Sequence, residues 1–370
     1  MDDAVRPIPS GDKAQRKRFV ALERRLLRDE PRFVAETEAD LRKRLGGGSA
    51  FLEDADLALF VTGDGPGAAR CAAIVNRRWQ RDRDPGTGFI GYFAAGPGTD
   101  GRVGSMLEAA ERWLAGRGVT RVLAPFNGDA LHGFGAQVDG FDEDPMFPLV
   151  WQPPYYAGLL EGAGYRPVLP FWVYEIDFSS ERYREVSRRA IDDARCTIRP
   201  FEKKRWKAEV EAFRLLLNDT FRDEWEFHAY TSEEMAEFLG ALKPVFDERQ
   251  LLFAEVDGEP AGLCWGLPDW TPLMRSLGGR MGPLQIARFM KGAKRFDRAG
   301  LITIGVRDAY RGRGIGATLT ASLYRHYEEL GLRNAFYYPV NENNTASRRL
   351  AESFGGRGRV LYAVFEKTLA

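Results

Sequence analysis

Apolar residues recur at helical spacing near the start of the chain, where Phe19, Leu22, Leu26 and Leu27 stand among arginines and glutamates until Pro31. A second helical run covers residues 33–45 and stops at three glycines, Gly46 to Gly48, which take positive φ without steric cost. The period then changes. Residues 57–62 and 69–75 read as short strands joined by GDGPG, a run of turn formers suited to a hairpin. GFIGYFAA (88–95) is a third strand, and GPGTDG breaks the chain before a helix with Val103, Leu107, Ala110 and Leu114 on one face. After a strand at 121–125, residues 128–154 form a loop rich in Gly, Pro and acids. It is long enough to be a candidate binding loop. A short helix (155–161) and a strand (171–178) close this half.

The second half runs through the same order. A strand at 197–201 leads into helices at 206–217 and 232–246, with Thr231 or Ser232 and Glu234 in an N-cap pattern. Residues 251–256 and 261–265 make a hairpin around Asp257-Gly258. An Arg- and Lys-rich interruption with some helical spacing spans 268–300. It is suited to a lid over the site or to a peripheral amphipathic excursion. Then come a strand (301–306), a glycine-rich turn, an amphipathic helix bearing Ile315, Leu319, Leu323, Tyr327 and Leu330, a strand (335–340), a helix (345–354) and a strand (360–366). LLEGAGY (159–165) lies over LAESFGG (350–356), with Glu161 on Glu352 and Gly164 on Gly355, so duplication of one fold explains the halves better than shared α/β order alone.

Composition narrows the function classes. At 370 residues the chain is long enough for two domains, and we divide it at 1–180 and 181–370. Its 53 Lys plus Arg balance 53 Asp plus Glu, so the overall field gives no reason to expect nucleic acid or a membrane as partner, while local basic patches stay open. The first residues lack the apolar core of a secretory signal, and no apolar run reaches bilayer-spanning length, which suggests a cytoplasmic protein. Cys71, Cys196 and Cys264 are far apart and odd in number, and His132, His228 and His326 show no metal-type spacing, so neither a disulfide framework nor a metal is expected.

The chemistry is concentrated in ITIGVRDAYRGRGIGATL (302–319), a strand, a glycine-rich turn and the start of a helix. Glycines let a backbone approach a ligand closely, and the first helical turn presents unpaired N–H groups at the positive end of the helix dipole. An anion such as a phosphate or pyrophosphate fits there. The stretch is neither a dinucleotide-binding GxGxxG with its distal acid nor a GKS/GKT loop.

Arg311-Gly312-Arg313-Gly314-Ile315-Gly316 resembles the acyl-coenzyme A loop of GNAT-type N-acetyltransferases, in which Arg or Gln is followed two positions later by Gly, any residue, and Gly or Ala. Asn344 and Ser347 are similar to that family's later Asn-x-x-Ala/Ser element. By motif the resemblance covers 251–366. By element order it extends to the first half, where GPGTDGRVG lacks the loop spacing, so the whole resembles a tandem GNAT protein with a degenerate amino-terminal copy. The fold so implied is α/β, with two GNAT-like domains, each a mixed, mostly antiparallel twisted sheet flanked by helices.

The resemblance implies an acyltransferase, in the first instance an N-acetyltransferase, that moves an acyl group from acetyl-CoA or another acyl-CoA to a small-molecule amine. The alternative is a non-catalytic acyl-CoA-binding or interaction protein. It implies that Arg313, Gly314, Ile315, Gly316 and Ala317 hold the pyrophosphate with Arg311 and Gly312 beside them. It further implies that the edge of Ile304, Gly305 and Val306 pairs with pantetheine, and that Asn344 and Ser347 lie near the pantetheine arm. A protein of this kind works as a monomer or homodimer.

Direct transfer to an amine requires a base, an oxyanion donor and a proton for the departing thiolate. The family's usual acid, a Tyr, is replaced here by Ala351, and by Leu160 in the first copy. Tyr338, or its neighbour Tyr337, is a substitute. The candidate bases are Glu342, Glu224 and Glu226. Asp139, Asp142, Glu143 and Asp144 in the long loop suit either attraction of a cationic amine or a solvated acidic surface.

Overall fold

The computed structural model describes residues 5–9, 11–63, 65–225, 227–279 and 282–369. The first half contains α1 (Lys13–Leu26), α2 (Glu38–Leu45), β1 (Ala55–Thr62), β2 (Ala69–Asn76), α3 (Arg77–Asp82), β3 (Thr87–Ala95), α4 (Asp100–Ala115), β4 (Arg121–Ala124), β5 (Ala136–Asp139), α5 (Tyr155–Gly162) and β6 (Arg166–Asp177). The second contains α6 (Glu181–Asp192), β7 (Thr197–Pro200), α7 (Trp206–Thr220), α8 (Ser232–Leu242), β8 (Leu251–Val256), β9 (Glu259–Pro268), α9 (Thr271–Leu277), α10 (Pro283–Gly292), β10 (Ala299–Val306), α11 (Ile315–Glu329), β11 (Asn334–Asn341), α12 (Thr345–Ser353) and β12 (Arg357–Thr368).

One sheet unites the halves, in the order β1-β2-β3-β4-β12-β6-β11-β10-β9-β8-β7, with β5 pairing β12 to the side. Most neighbours are antiparallel; β3 with β4 and β10 with β11 are parallel. The last strand of each half is exchanged: β6 pairs with β11, and β12 pairs with β4. The pair β6–β12 therefore lies on the approximate twofold that relates the copies, and neither half completes its sheet alone. The division at 180 falls between β6 and α6, so β6 belongs to the first segment in sequence and to the second copy's sheet in hydrogen bonding.

Helices cover both faces. On one, α4 and α5 bury Val103, Leu107 and Tyr156 while α6, α11 and α12 bury Tyr183, Leu319, Leu323 and Phe354. On the other, α1 and α2 pack Phe19 and Leu41, and α7 to α9 pack Phe213, Met235 and Trp270. Each such fully buried large apolar side chain contributes about 1.5–3 kcal/mol relative to exposure. Among the described residues, no helix is long and apolar enough to cross a membrane.

Several elements differ from the expectation. The helix expected at 33–45 begins only at Glu38, where Thr37 accepts from Asp40 N. The short α3 follows Asn76, whose side chain caps it. The highly charged α6 has no sequence counterpart in our reading, because its buried contacts rest on little more than Tyr183 and Ser187. The interruption at 268–300 forms α9 and α10, and Trp270 Nε1 donates to Ala293 O at 3.0 Å across them.

Candidate functional site

The start of α11 is open. Gly314, its N-cap, sits at φ +80° and Gly312 at φ +75°, and a Cβ at either would meet nothing within 4 Å. No side chain caps the helix, unlike α8 (Thr231) and α12 (Asn344). The first intrahelical bond from this turn is Thr318 N to Gly314 O at 3.0 Å, which leaves Ile315, Gly316 and Ala317 N–H without a partner among the described residues and able to take an anion. Arg311 pairs with Asp308 at 3.0 Å, while the Arg313 guanidinium lies over the Tyr310 ring at 5.2 Å; both arginines are exposed beside the turn.

β10 splays away from β11 as it approaches this turn. They pair at Gly300↔Phe336 and Leu301↔Tyr337, and an unmatched residue, Ile302, bulges β10 against β9. Beyond it Ile304, Gly305 and Val306 keep their β9 partners, while their other edge has no strand beside it among the described residues. A Cβ at Gly316 would touch Leu350 at 3.7 Å, Val306 at 3.9 Å and Ile304 at 4.0 Å, which is ordinary contact. Partly exposed apolar side chains therefore floor a slot from the open turn towards α12. Ile304 and Val306 thus lie beside Gly316 of the 311–317 turn.

The end of α7 is brought to the same slot. A Cβ at Gly305 would lie 2.2 Å from Thr220 Oγ1 and 3.1 Å from Phe221, so glycine is what permits this approach. The following turn delivers Glu224, whose carboxylate accepts from Asn344 Nδ2 at 2.9 Å. Asn344 Oδ1 meanwhile accepts from Ser347 N at 2.9 Å, so one amide both caps α12 and holds Glu224. Burial raises the Glu224 carboxyl above its ordinary value, opposed by the Asn344 bond and by Arg311 and Arg83. Tyr337 is buried with its hydroxyl bonded to Ser347 Oγ, and burial pushes its phenol up.

The other candidates lie elsewhere. Tyr338 points to the opposite face of β11, where its hydroxyl donates to Phe147 O in the long loop. Glu342 is exposed just beyond β11. Glu226 lies outside the described residues. In the loop, Asp144 pairs with Arg275 at 2.8 Å, Glu143 with Arg359, and Asp139 accepts from Gly140 N at 2.7 Å, so these three serve surface contacts. A recess lined by Arg16, Leu45 and Leu57 lies at the β1 edge, far along the sheet from this chemistry.

Sequence spacing gave no sign of a second polar cluster, because its members come from both halves. Donor atoms of Asp129, His228 and Glu234, all buried, lie within 4.8 Å of one another, a grouping that could hold a metal. The hydrogen bonds favour a proton instead. Asn76 Oδ1 accepts from Arg78 N and Trp79 N, which fixes its amide, so Nδ2 donates to Gly128 O at 3.0 Å and to His228 Nε2 at 3.2 Å. The neutral ring thus carries its proton on Nδ1, which has no lone pair for a cation. Glu234 is already engaged by Arg78 and by Thr231 N. Asp129 Oδ2 and His228 Nδ1 have no hydrogen-bond partner among the described residues.

Burial lowers the His228 ring to about 4 from its ordinary 6.5. A base with a depressed folded-state pKa leaves its stabilising contribution intact above pH 6.5 and loses it as pH falls towards 4. That shift corresponds to about 3 kcal/mol. Stability against denaturant should fall as pH drops through this window in the wild type, and His228→Asn should flatten that part of the profile; an unchanged slope in the variant would refute the assignment.

The first copy has the same bulged parallel pair, but its slot is closed. Phe126 N donates to Ile90 O at 2.9 Å, and Tyr92 N donates to Asn127 Oδ1 at 2.7 Å, filling the gap beyond β4. At the loop before α4, a Cβ on Gly96 would fall 1.6 Å from Pro66 O. Protein therefore occupies both places that the second copy leaves open.

The sequence profile of the acetyltransferase (GNAT) family matches residues 210–355. Over 98% of its length the chain is 28% identical to a bacterial ceramide synthase of Caulobacter vibrioides, covering 97% of that protein. Over 46% of its length it is 27% identical to a mycothiol acetyltransferase of a Parafrankia species, covering 48% of that protein. A tandem GNAT protein from the clavulanic acid biosynthesis pathway superposes with a TM-score of 0.54 at 13% identity, with 98% of both chains covered. Residues 210–355 thus match the GNAT acetyltransferase family, and the chain as a whole has the fold of a tandem GNAT protein.

Proposed function

We propose that the protein is an acyl-CoA-dependent N-acyltransferase whose acceptor is the amine of a long-chain, amphiphilic small molecule. The observation that carries the coenzyme assignment is the uncapped, sterically open start of α11 at the end of the splayed β10. The acceptor class draws on two supports. One is the full-length similarity to a ceramide synthase, ceramide being the fatty amide of a long-chain amino alcohol. The other is the aromatic cluster that follows Glu224 and offers an apolar surface beside it: Trp225 packs on Trp79 at 6.1 Å and on Phe126 at 6.5 Å, and Phe134 packs on Phe171 at 4.7 Å.

In this reading Glu224, held by Asn344, removes the proton of the ammonium form, and its raised pKa makes it a stronger base than an exposed glutamate. The amine nitrogen attacks the thioester carbonyl, and the backbone N–H of Val306, which alternation turns away from β9 because Arg307 N donates to Ala261 O, steadies the oxyanion. The C–S bond then breaks as the amide forms. The sulfur takes its proton from the Tyr337 hydroxyl, which replaces the tyrosine missing at Ala351, and solvent reprotonates Tyr337 while Glu224 releases its own proton. Tyr338, buried on the other face, and Glu342, in solvent, supply no step.

The test is thiol release from acetyl-CoA and palmitoyl-CoA across amines of increasing chain length. Turnover should be at least about tenfold faster with a long-chain amino alcohol than with a short amine of equal pKa, since each buried methylene contributes about 0.8 kcal/mol. Equal rates would remove the acceptor class, and coenzyme binding without thiol release from any amine would make this a non-catalytic acyl-CoA-binding protein.

A further inference from the structure

We infer that α10 is a docking element for an anionic lipid surface. The helix exposes three large apolar side chains in one stretch: Leu284 is 62% exposed, Ile286 46% and Met290 38%. At 100° per residue, Ile286, Met290, Pro283 and Ala287 fall within about 100° of arc. Leu284 lies between Arg288 and Lys291 on the adjoining arc. The inner face is anchored by Phe289, which packs on Trp270 at 5.5 Å, and by Gly292 against Leu273.

Charge decides what covers this face. Arg288, Lys291, Lys294 and Arg295 are all exposed, and none of their side chains has an ion-pair or hydrogen-bond partner among the described residues. The only acid between α10 and β10 is Asp297. Elsewhere arginines are commonly paired, as Arg199 is with Glu209 and Glu255, and Arg275 with Asp144. The chain's zero net charge therefore conceals a local excess of cations surrounding exposed apolar groups. Acyl chains would accept the apolar band, and lipid phosphates would accept the cations. A second copy of this chain would place like charges against each other.

Docking would also orient the proposed site. α10 leads directly into β10, whose other end carries the open turn, and Gly279 O, before α10, accepts from Glu38 N of the first half at 3.4 Å. An amphiphilic acceptor in the lipid would thus lie on the side of the sheet that α7 and α10 share.

Sedimentation with phosphatidylcholine–phosphatidylglycerol vesicles tests this. Wild-type protein should bind at least about tenfold more tightly than to phosphatidylcholine alone, and raised salt should weaken the binding. The exposed pair Ile286→Glu/Met290→Glu, and separately Arg288→Glu/Lys291→Glu, should each reduce vesicle binding at least about tenfold. Coenzyme binding by the same variants, measured without lipid, should be unchanged. The assay needs no coenzyme, so absent vesicle binding with coenzyme affinity intact overturns the docking face alone. Equal binding by wild type and variants overturns it too, as does wild-type dimerisation that the substitutions abolish.

Discussion

Gly314→Glu should abolish coenzyme A binding while leaving the protein folded. The substituted carboxylate would stand at the first turn of α11, where Ile315, Gly316 and Ala317 N–H have no partner among the described residues. It would both repel a pyrophosphate and satisfy the donors that should hold it. Loss of two charge-assisted hydrogen bonds, at about 1.5–3 kcal/mol each, corresponds to a decrease of about 10²–10⁴ in affinity. Gly314→Ala separates charge from backbone strain. Any L residue at φ +80° costs about 1–2 kcal/mol, but a Cβ there meets nothing. The alanine variant should therefore keep affinity within about tenfold of wild type. Calorimetric titration with coenzyme A checks both variants, and wild-type affinity in Gly314→Glu would end the coenzyme assignment.

That turn was legible in the sequence because its chemistry resides in consecutive main-chain atoms. Glycines at 312, 314 and 316 and an amphipathic helix after them are sufficient to indicate an anion site, with no distant residue needed. The strand exchange was not legible. Both β6 and β12 extend well before the residues our reading gave them. Pro167 and Pro170 interrupt the apolar pattern of one, and Gly358 that of the other. The register shifts between β6 and β12 fall at Gly358/Val360 and Val364/Phe365, where the alternation also fails. Pairing across the twofold is a long-range property that no local window contains.

The side chains beside the slot separate along the same line. Asn344 and Glu224 are 120 positions apart, and only the packing of Thr220 and Phe221 on Gly305 brings them together. Of the two strand tyrosines, parity alone places Tyr337 towards α12 and Tyr338 towards Phe147, because successive side chains in a strand alternate faces. Asp129 and His228 come from different copies, and the acid-rich loop that carries Asp129 spends its more conspicuous acids on surface arginines. The degenerate first copy also has a physical reading. Asn127 follows Pro125 as Asn341 follows Pro339, but in the first copy that asparagine closes its own slot by accepting from Tyr92 N.

Glu224→Gln should lower kcat by about 10²–10⁴, the range associated with loss of a positioned general base. Glutamine retains an oxygen that accepts from Asn344 Nδ2, so the turn after α7 and the cap of α12 should persist, and the KM for acyl-CoA should change little. The pH profile distinguishes a base from a structural contact. Burial raises the Glu224 carboxyl, so wild-type kcat should rise with pH through a value above that of an ordinary glutamate, as the carboxylate form becomes populated. Glutamine does not titrate, and that limb should vanish from the variant. A low-activity variant that kept the same acid limb would show that another group removes the proton. Asn344→Ala tests the geometry independently: it frees Glu224 without removing it, so the base should remain while its apparent pKa rises, because the bond that favours the charged form is gone. Only a carboxylate held at the slot by that amide predicts both the loss of the limb in one variant and its displacement to higher pH in the other.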